Sequence, residues 1–496
     1  MFNKKYVFFI SFISIILFSN QQNKLKVLED WDEYEISIDG ITYRCPLCIP
    51  YKIKSLNGKI TISIPRLYNF SDDKNIATAN VTFLALNTYY DNDHFWEAWP
   101  SEEYVFIKNK NTHNKIYSVM GYDIDAFQNY YLLDHGIIFP ENNTIMQNTS
   151  KLLIFDKKGN LDKIYHFNGT DFETSLLTDI VVDQSKKFAY ITDSGILLNN
   201  ESYPRIIVID LESNIVYKIL NNNTKFTPDE NASVVYSENE IYNYFTNITG
   251  LNSIQISCDG KMLYFSSLKS KKLYRVKTED ILNSIKKFNE TNDEKVFDNI
   301  EITIANKGMI SQSFFLSSKN NLFMTNGDDG SIRTLYTLDE DLINFNFNDF
   351  SQVKAEKFII NWPGSIDIDN GKLIVLDNHY YIRISNKSNS MNFYGDALVN
   401  NDTDNKTVGN FVIYVTDLQK DEYSHKRGCT IYVFQLNFYF IFLLSWFLII
   451  LIIVIFIMII NKERNKKNKN NEKNEKEEEN VKELNRRLNE GANYDE

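Results

Sequence analysis

A short pattern recurs six times along this chain: a hydrophobic strand, a polar turn, and a second strand that ends in a small, polar or acidic residue. The six copies occupy residues 53–65, 123–134, 179–193, 253–267, 314–326 and 365–377. Hairpins that repeat every 51 to 74 residues are typical of propeller blades. The sequence therefore predicts an all-β, six-bladed β-propeller, a fold that presents its functional site at the mouth of a central channel.

The N-terminal residues have the layout of a secretory signal peptide. Lys4 and Lys5 precede an apolar run over residues 6–18, which is too short to span a bilayer comfortably. We therefore expect residues 1–20 to be a signal peptide, with an uncleaved anchor as the alternative. The propeller domain is then expected over residues 21–430.

Residues 436–460 form an uncharged run rich in Ile, Leu and Phe. As a helix, 25 residues extend about 37 Å, enough to cross roughly 30 Å of hydrocarbon. We predict one C-terminal transmembrane helix over residues 431–460, with the lipid bilayer as its partner. A buried core helix is the alternative.

The distribution of charge around this run predicts the orientation of the chain. Basic residues are dense directly after it, from Lys462 to Lys469, which places the tail in the cytoplasm and the propeller outside the cell or in a lumen. The tail, residues 461–496, consists mainly of Lys, Asn and Glu and is expected to be disordered, with a short helix possible over residues 477–489. The net charge of −12 argues against nucleic acid as a partner.

The composition of the expected outer domain fits an oxidising compartment. Its four cysteines predict structural disulfides of open connectivity: Cys45, Cys48, Cys258 and Cys429. Thirteen N-x-S/T sequons all precede the apolar run, and none lies in the tail. The predicted glycosylation sites are Asn69, Asn80, Asn142, Asn148, Asn168, Asn200, Asn222, Asn231, Asn247, Asn289, Asn386, Asn401 and Asn405.

Several segments, in order, resemble the major royal jelly and yellow protein family. Residues 177–183 read LTDIVVD and residues 189–194 read AYITDS, the nearest match to that family's pattern. The other segments are ISIPR at 62–66, AT at 77–78, WPS at 99–101, YLLDHG at 131–136, LYRV at 273–276, SQS at 311–313, WP at 362–363 and NF at 392–393. The resemblance covers about residues 59–395, and it departs from the family at Gly364 and Tyr394.

This resemblance implies a six-bladed propeller and a ligand site formed by the last blades. Carried over position by position, it indicates Ser365, Asn378 and Tyr380 as ligand-binding residues. A hydroxyl and an amide can hydrogen-bond a small polar ligand while a tyrosine stacks on its ring. The alternative is that the three residues serve only the strands and turns that contain them.

The sequence contains no nucleophile elbow, zinc-helix motif, P-loop or dinucleotide fingerprint, which favours a binding protein over an enzyme. Two enzymatic alternatives stay open: a dopachrome-conversion isomerase, or a calcium-dependent hydrolase that resembles lactonases. The second would place Asp179, Asn252 and Asn378 around one calcium ion. The aspartates at the hairpin ends, Asp134, Asp193 and Asp377, are expected to cap turns. The leading hypothesis is a membrane-anchored propeller that binds a small molecule or an extracellular partner at the channel mouth.

Overall fold

The fold was examined in a computed structural model. It describes residues 24–31, 34–38, 41–45, 50–65, 81–87, 96–105, 115–136, 150–167, 175–183, 187–195, 204–221, 224–226, 234–237, 240–242, 250–268, 270–327, 330–335, 351–355, 363–378, 411–418 and 425–491.

Six four-stranded antiparallel blades form a ring, which confirms the six-bladed β-propeller. Blade 1 contains Lys52–Leu56, Lys59–Ser63, Phe83–Asn87 and Glu97–Ala98. Blade 2 contains Val119–Ile124, Tyr130–Asp134, Lys151–Phe155 and Leu161–His166. Blade 3 contains Leu177–Val182, Phe188–Asp193, Arg205–Asp210 and Ile215–Ile219.

Blades 4 and 5 follow the same plan. Blade 4 contains Leu251–Ile256, Met262–Ser267, Lys272–Lys277 and Thr303–Asn306, and blade 5 contains Phe314–Leu316, Leu322–Asn326, Ser331–Leu335 and Ser351–Ala355. An α-helix, Thr278–Thr291, and a 3₁₀-helix, Glu294–Asn299, connect the last two strands of blade 4. The remaining short elements are Tyr34–Ile38 paired with Ile41–Cys45, Val234–Ser237 paired with Glu240–Tyr242, the helix Glu102–Val105 and the 3₁₀-helix Thr224–Phe226.

Blade 6 closes the ring with both ends of the propeller chain. Its first three strands are Pro363–Asp369, Lys372–Asp377 and Phe411–Asp417, and its outer strand is Lys24–Trp31 from the N-terminal region. The outer strand also pairs in parallel with the last strand of blade 5, through Lys24 with Lys354 and Leu25 with Ala355. The backbone of the N-terminal strand therefore holds the last two blades together.

Five of the six repeated sequence patterns cover the first two strands of a blade, and in blade 2 the pattern begins at Asp123, near the end of the first strand. The turn chemistry sets the register. In blade 1, Leu56 pairs with Lys59 across the two-residue loop Asn57–Gly58, both of which have positive φ. Blade 6 has the same Asn–Gly loop at residues 370–371. Positive φ at both positions is the requirement of the type I′ turn, and Asn–Gly is the dipeptide that meets it with least strain.

The hydrophobic core lies between consecutive blades. Five clusters of buried apolar side chains each join neighbouring blades around the ring. Between blades 3 and 4, for example, Val181 and Ile206 pack in one cluster with Ile254 and Phe265. Because burying an aliphatic or aromatic side chain contributes about 1.5–3 kcal/mol, this repeated packing stabilises the ring.

The second compact unit, Ile431–Glu496, lies almost entirely in the long helix His425–Gly491. Within this helix, the segment Leu443–Arg487 is a candidate membrane span by length and composition, and the most apolar part of this segment is not buried. The helix continues through the tail that the sequence predicted to be disordered, and the described side chains there are exposed. Among the described residues of the tail, local pairs such as Arg487 with Glu483 occur along the helix, and disorder in solution stays a prediction.

Several expectations fall outside the described residues. These are the signal peptide, Tyr380 and every sequon except Asn289. Asn289 lies on the exposed face of the helix in blade 4, where its Nδ2 donates to the Tyr217 hydroxyl at 3.0 Å. The side chains of Cys45, Cys48 and Cys429 are also outside the described set, so the disulfides and the glycosylation stay predictions.

Candidate functional site

The inner strands carry buried polar side chains toward the centre of the ring. We call this set the channel cluster. Its members are Tyr51, Lys52, Lys54, Asp123, Asp179, Asn252, Gln312, Asp367 and Asp369. Counted over the whole residue, none is more than 7% exposed. Buried polar groups persist only where they have partners, so the question is what each one binds.

Two consecutive residues of blade 1 reach across the channel. The Tyr51 hydroxyl donates to Asn252 Oδ1 of blade 4, which lies opposite in the ring, at 2.5 Å. The Lys52 ammonium pairs with Asp179 of blade 3. Asn252 Nδ2 in turn donates to the backbone oxygen of Gln312 at 2.6 Å, which fixes the amide with its oxygen toward Tyr51. Blades 1, 3 and 4 and the start of blade 5 are therefore joined at one end of the channel.

A second group lies further along the inner strand of blade 1. Lys54 Nζ is 3.0 Å from Asp123 Oδ1 of blade 2. On the other side, Asp367 Oδ2 of blade 6 accepts from the Ser55 backbone N–H at 2.7 Å, and Asp369 Oδ2 accepts from the Gly58 N–H at 2.8 Å. Carboxylates from the neighbouring blades thus hold both sides of the blade 1 hairpin.

Carboxylates also join the other inner strands. Asp123 Oδ2 accepts from the Val182 N–H of blade 3 at 2.9 Å, and Asp179 Oδ2 accepts from the Ile254 N–H of blade 4 at 3.3 Å. Hydrogen bonds that backbone N–H groups donate to ionised carboxylates are stronger than those they donate to neutral acceptors. Part of the channel cluster therefore stabilises the ring itself.

Burial shifts the pKa values of two groups in the cluster in opposite senses. Burial lowers the pKa of the Lys52 ammonium to about 8, while attraction to Asp179 opposes that shift. Burial raises the pKa of the Asp367 carboxyl to about 6, against the attraction of Lys54. At neutral pH Lys52 remains mainly protonated, and Asp367 releases its proton only just below neutrality.

The structure places two of the three predicted ligand residues at the contact between blades 6 and 1. Ser365 Oγ accepts from the Ile53 N–H at 3.1 Å, and Asn378 Nδ2 donates to the Pro50 oxygen at 2.9 Å. Both side chains are almost fully buried. These bonds position the segment that carries Tyr51 and Lys52, and a direct ligand contact stays a prediction.

Gly364 explains one departure from the family pattern. A Cβ at this position would lie 2.6 Å from Asn378 Nδ2, closer than real Cβ contacts allow. A side chain there would therefore displace Asn378 from Pro50.

Two of the three side chains that the calcium alternative requires have their oxygens already bonded. Asp179 pairs with Lys52, and Asn252 Oδ1 accepts from Tyr51. Asn378 has a different partner, the Pro50 carbonyl. Within the part of the chain that the structure describes, no group of three or more His, Cys, Asp or Glu side chains could hold a metal ion. An internal ammonium beside Asp179 does not fit a divalent cation at the same place.

Two of the three aspartates at the hairpin ends, Asp134 and Asp193, act as caps, as the repeat suggests. Asp193 Oδ1 accepts from the N–H groups of Leu176 and Gly195, and its Oδ2 binds Arg205 Nε at 2.8 Å. Asp134 makes the corresponding contacts in blade 2, with Lys151 as its cation at 2.9 Å. The recurrence of aspartate therefore reflects recurrence of one local structure.

Sequence reasoning missed most of the channel cluster. The signal was present as charged residues at alternate positions within apolar strands: Lys52 and Lys54 in blade 1, and Asp367 and Asp369 in blade 6. A charged side chain in a strand that is otherwise apolar must find a buried partner, which marks it as a structural or functional contact.

A sequence model of the family described as "Major royal jelly protein" matches residues 117–423 of this chain. That match begins just before blade 2 and continues beyond the third strand of blade 6. No curated protein gives a significant match.

Solved structures with similar folds include the calcium-binding protein regucalcin from Agrobacterium tumefaciens, at 11% identity and a TM-score of 0.42, covering 80% of this chain and 94% of that one. Another is a catalytically inactive virginiamycin B lyase from Staphylococcus aureus, at 12% identity and a TM-score of 0.39, covering 79% and 98%. A luciferin-regenerating enzyme matches at 9% identity and a TM-score of 0.41, covering 76% and 93%. Similarity at this level carries no argument about activity.

Proposed function

The chain belongs to the major royal jelly protein family, and from that premise we propose that it is a membrane-anchored propeller that binds a small polar ligand at one end of its central channel. The observation that supports this proposal is the concentration of polar groups where Tyr51 and Lys52 reach Asn252 and Asp179. A hydroxyl, an ammonium, an amide and a carboxylate in one place offer both donors and acceptors.

The arrangement also suggests how binding would work. Tyr51 and Lys52 bridge the channel end in the ligand-free protein, so a ligand has to exchange its own polar groups for these contacts. A ligand that provides a carboxylate or hydroxyl acceptor for Lys52 and Tyr51, or a donor for Asp179 and Asn252, replaces each bond that it breaks.

The apolar helix supports anchoring of this propeller to a membrane. Its uncharged run has the length of a span, and basic residues follow it directly. We place the tail in the cytoplasm and the propeller outside the cell or in a lumen. The predicted signal peptide, sequons and disulfides agree with that location of the propeller.

A binding screen on the full-length protein in detergent micelles tests the proposal. Small aromatic amines, sugars, carboxylates and short peptides are titrated, and the shift of the unfolding midpoint is recorded for each. Compounds that shift the midpoint are then tested for saturable binding. We expect at least one class to bind saturably to the wild type, and Tyr51→Phe together with Asn252→Ala to weaken that binding at least tenfold.

The matched control is Tyr217→Phe, which removes a hydroxyl that bonds Asn289 on the outer side of blade 3. This change should leave binding intact. The absence of any saturable ligand, or a ligand whose affinity is unchanged by both channel substitutions, would refute the proposal. The dopachrome-type isomerase stays an untested alternative, and no contact among the described residues favours it.

A further inference from the structure

We infer that Lys52 is the protein's own cation at the channel end, and that this position therefore binds no divalent metal ion. The inference concerns the ligand-free site and is independent of which small molecule the channel accepts. It rests on three contacts that join blades 1, 3, 4 and 5, and on two contacts from blade 6 that hold the blade 1 segment.

The first step is the donor set opposite blade 1. Asp179 contributes a carboxylate and Asn252 contributes an amide oxygen, from neighbouring inner strands. Carboxylate and amide oxygens are the ligands that a hard divalent cation prefers. A negative charge of this kind, buried with its side chain only 6% exposed, needs a cation.

The second step is that blade 1 provides that cation. The Lys52 ammonium contacts Asp179 Oδ1, with its own side chain only 8% exposed. An ammonium is compact and has three donors, so it takes the place of a bound cation beside Asp179 and supplies one positive charge. A divalent ion beside Asp179 would have to displace this side chain or share the site with a like charge.

The third step is the orientation of the remaining oxygen. Asn252 Nδ2 donates to the Gln312 oxygen, which turns Oδ1 toward blade 1, and the Tyr51 hydroxyl donates to that Oδ1. The adjacent Ser365 and Asn378 bind the backbone of Ile53 and Pro50 and so fix the strand on both sides of Tyr51 and Lys52. The cation is therefore held by backbone contacts from blade 6 as well as by its own ion pair.

Removing the ammonium leaves the buried Asp179 carboxylate without its internal cation, next to an Asn252 amide oxygen of the type that calcium binds. The substitution Lys52→Ser should therefore create a calcium response that the natural protein lacks.

The experiment uses full-length protein in detergent, with thermal unfolding measured in excess EDTA and in millimolar calcium chloride, and with calcium binding measured by calorimetry. For the wild type we expect the same midpoint in both buffers and no saturable binding. For Lys52→Ser we expect a lower midpoint in EDTA, recovery in calcium, and calcium affinity at least tenfold above that of the wild type.

Two controls separate this site from other effects. Lys59→Ser removes a lysine from the same hairpin, outside the channel cluster, and should give no calcium response. Lys52→Ser combined with Asp179→Asn should lose the calcium response that Lys52→Ser gains. Should Lys52→Ser fail to fold, Lys52→Gln, which removes the positive charge and offers an amide oxygen to a cation, serves in its place.

Saturable calcium binding by the wild type that Asp179→Asn abolishes would overturn the inference. A folded Lys52→Ser or Lys52→Gln protein with no gain in calcium affinity would overturn it as well. Because no small-molecule ligand takes part, these results do not depend on the outcome of the binding screen.

Discussion

At the scale of single residues, Asp193 shows how a capping side chain can also be a structural charge. It accepts from two backbone N–H groups, from the Ser175 hydroxyl and from Arg205, while fully buried. The sequence predicted a cap from the position of the aspartate at a hairpin end. It did not predict the cation, because Arg205 belongs to the next strand and becomes a neighbour only through pairing with Asp193.

Asp193→Ala should be strongly destabilising, by about 3–5 kcal/mol, because it leaves the Arg205 guanidinium buried without its carboxylate. Denaturant unfolding of the wild type and the variant measures this difference. Asp156→Ala is the matched control, since Asp156 makes similar bonds to the N–H groups of Lys158 and Asn160 in an exposed turn, and its loss should cost much less. Equal losses in the two variants would contradict a structural role for the buried pair.

Two buried groups should give opposite pH dependence in the same range. The pKa of the Asp367 carboxyl is raised by burial from 3.8 to about 6, so the folded state favours its protonated form. Its effect is to increase the free energy of unfolding as pH falls from above 6 toward 4. The pKa of His135 is lowered by burial from 6.5 to about 4, so its effect is a loss of stability as pH falls through that interval.

Single substitutions should separate the two effects. Relative to the wild type, Asp367→Asn should lose stability more steeply between pH 7 and 4, and His135→Asn should lose it less steeply, each by up to about 3 kcal/mol since one pKa unit corresponds to about 1.4 kcal/mol. Urea midpoints over this pH range provide the measurement. Parallel curves for wild type and both variants would show that neither group is titrated as its burial implies.

At the scale of elements, the hairpins were predictable and the contacts across the ring were not. Alternating apolar residues and Asn–Gly turns are local signals, and they located the first two strands of five blades and the second strand of blade 2. Tyr51 and Asn252 are 201 positions apart, and only closure of the ring brings them together. The third and fourth strands also lacked a clear signal, because they follow connections of variable length.

Of the two chain ends that complete blade 6, the sequence indicated a strand at only one. The apolar run over residues 411–415 has the pattern of a strand, and it forms part of the third strand of blade 6. The outermost strand is Lys24–Trp31, which starts shortly after the predicted signal peptide ends at residue 20. Cleavage near residue 20 leaves this strand in the mature chain.

Deleting residues 24–31 should therefore abolish cooperative folding. The deletion removes the backbone pairing of this strand with Phe411–Asp417 in blade 6 and with Ser351–Ala355 in blade 5. Circular dichroism and urea unfolding, with the signal peptide retained for secretion, report the effect. Deleting residues 477–489 from the exposed tail is the control and should leave the transition unchanged. A sharp, wild-type transition after loss of residues 24–31 would contradict closure by this strand.

At the scale of the whole molecule, a propeller of the major royal jelly protein family and a long apolar helix are combined in a single chain. The sequence predicted this organisation because blade repeats and an uncharged run of 25 residues are strong local patterns. It indicated Ser365 and Asn378 for ligand binding, and the structure shows both holding blade 1 in place. The polar end of the channel belongs mainly to residues of blades 1, 3 and 4, whose role depends on the ring and not on any local motif.

The most direct test of the account is an experimental density map of the full-length protein with the tightest ligand from the screen. We expect ligand density at the channel end, within hydrogen-bonding distance of Tyr51, Lys52, Asp179 or Asn252, with at least one of the two cross-channel contacts broken. Ligand density elsewhere on the propeller, with the contacts of Tyr51 to Asn252 and of Lys52 to Asp179 unchanged, would contradict it.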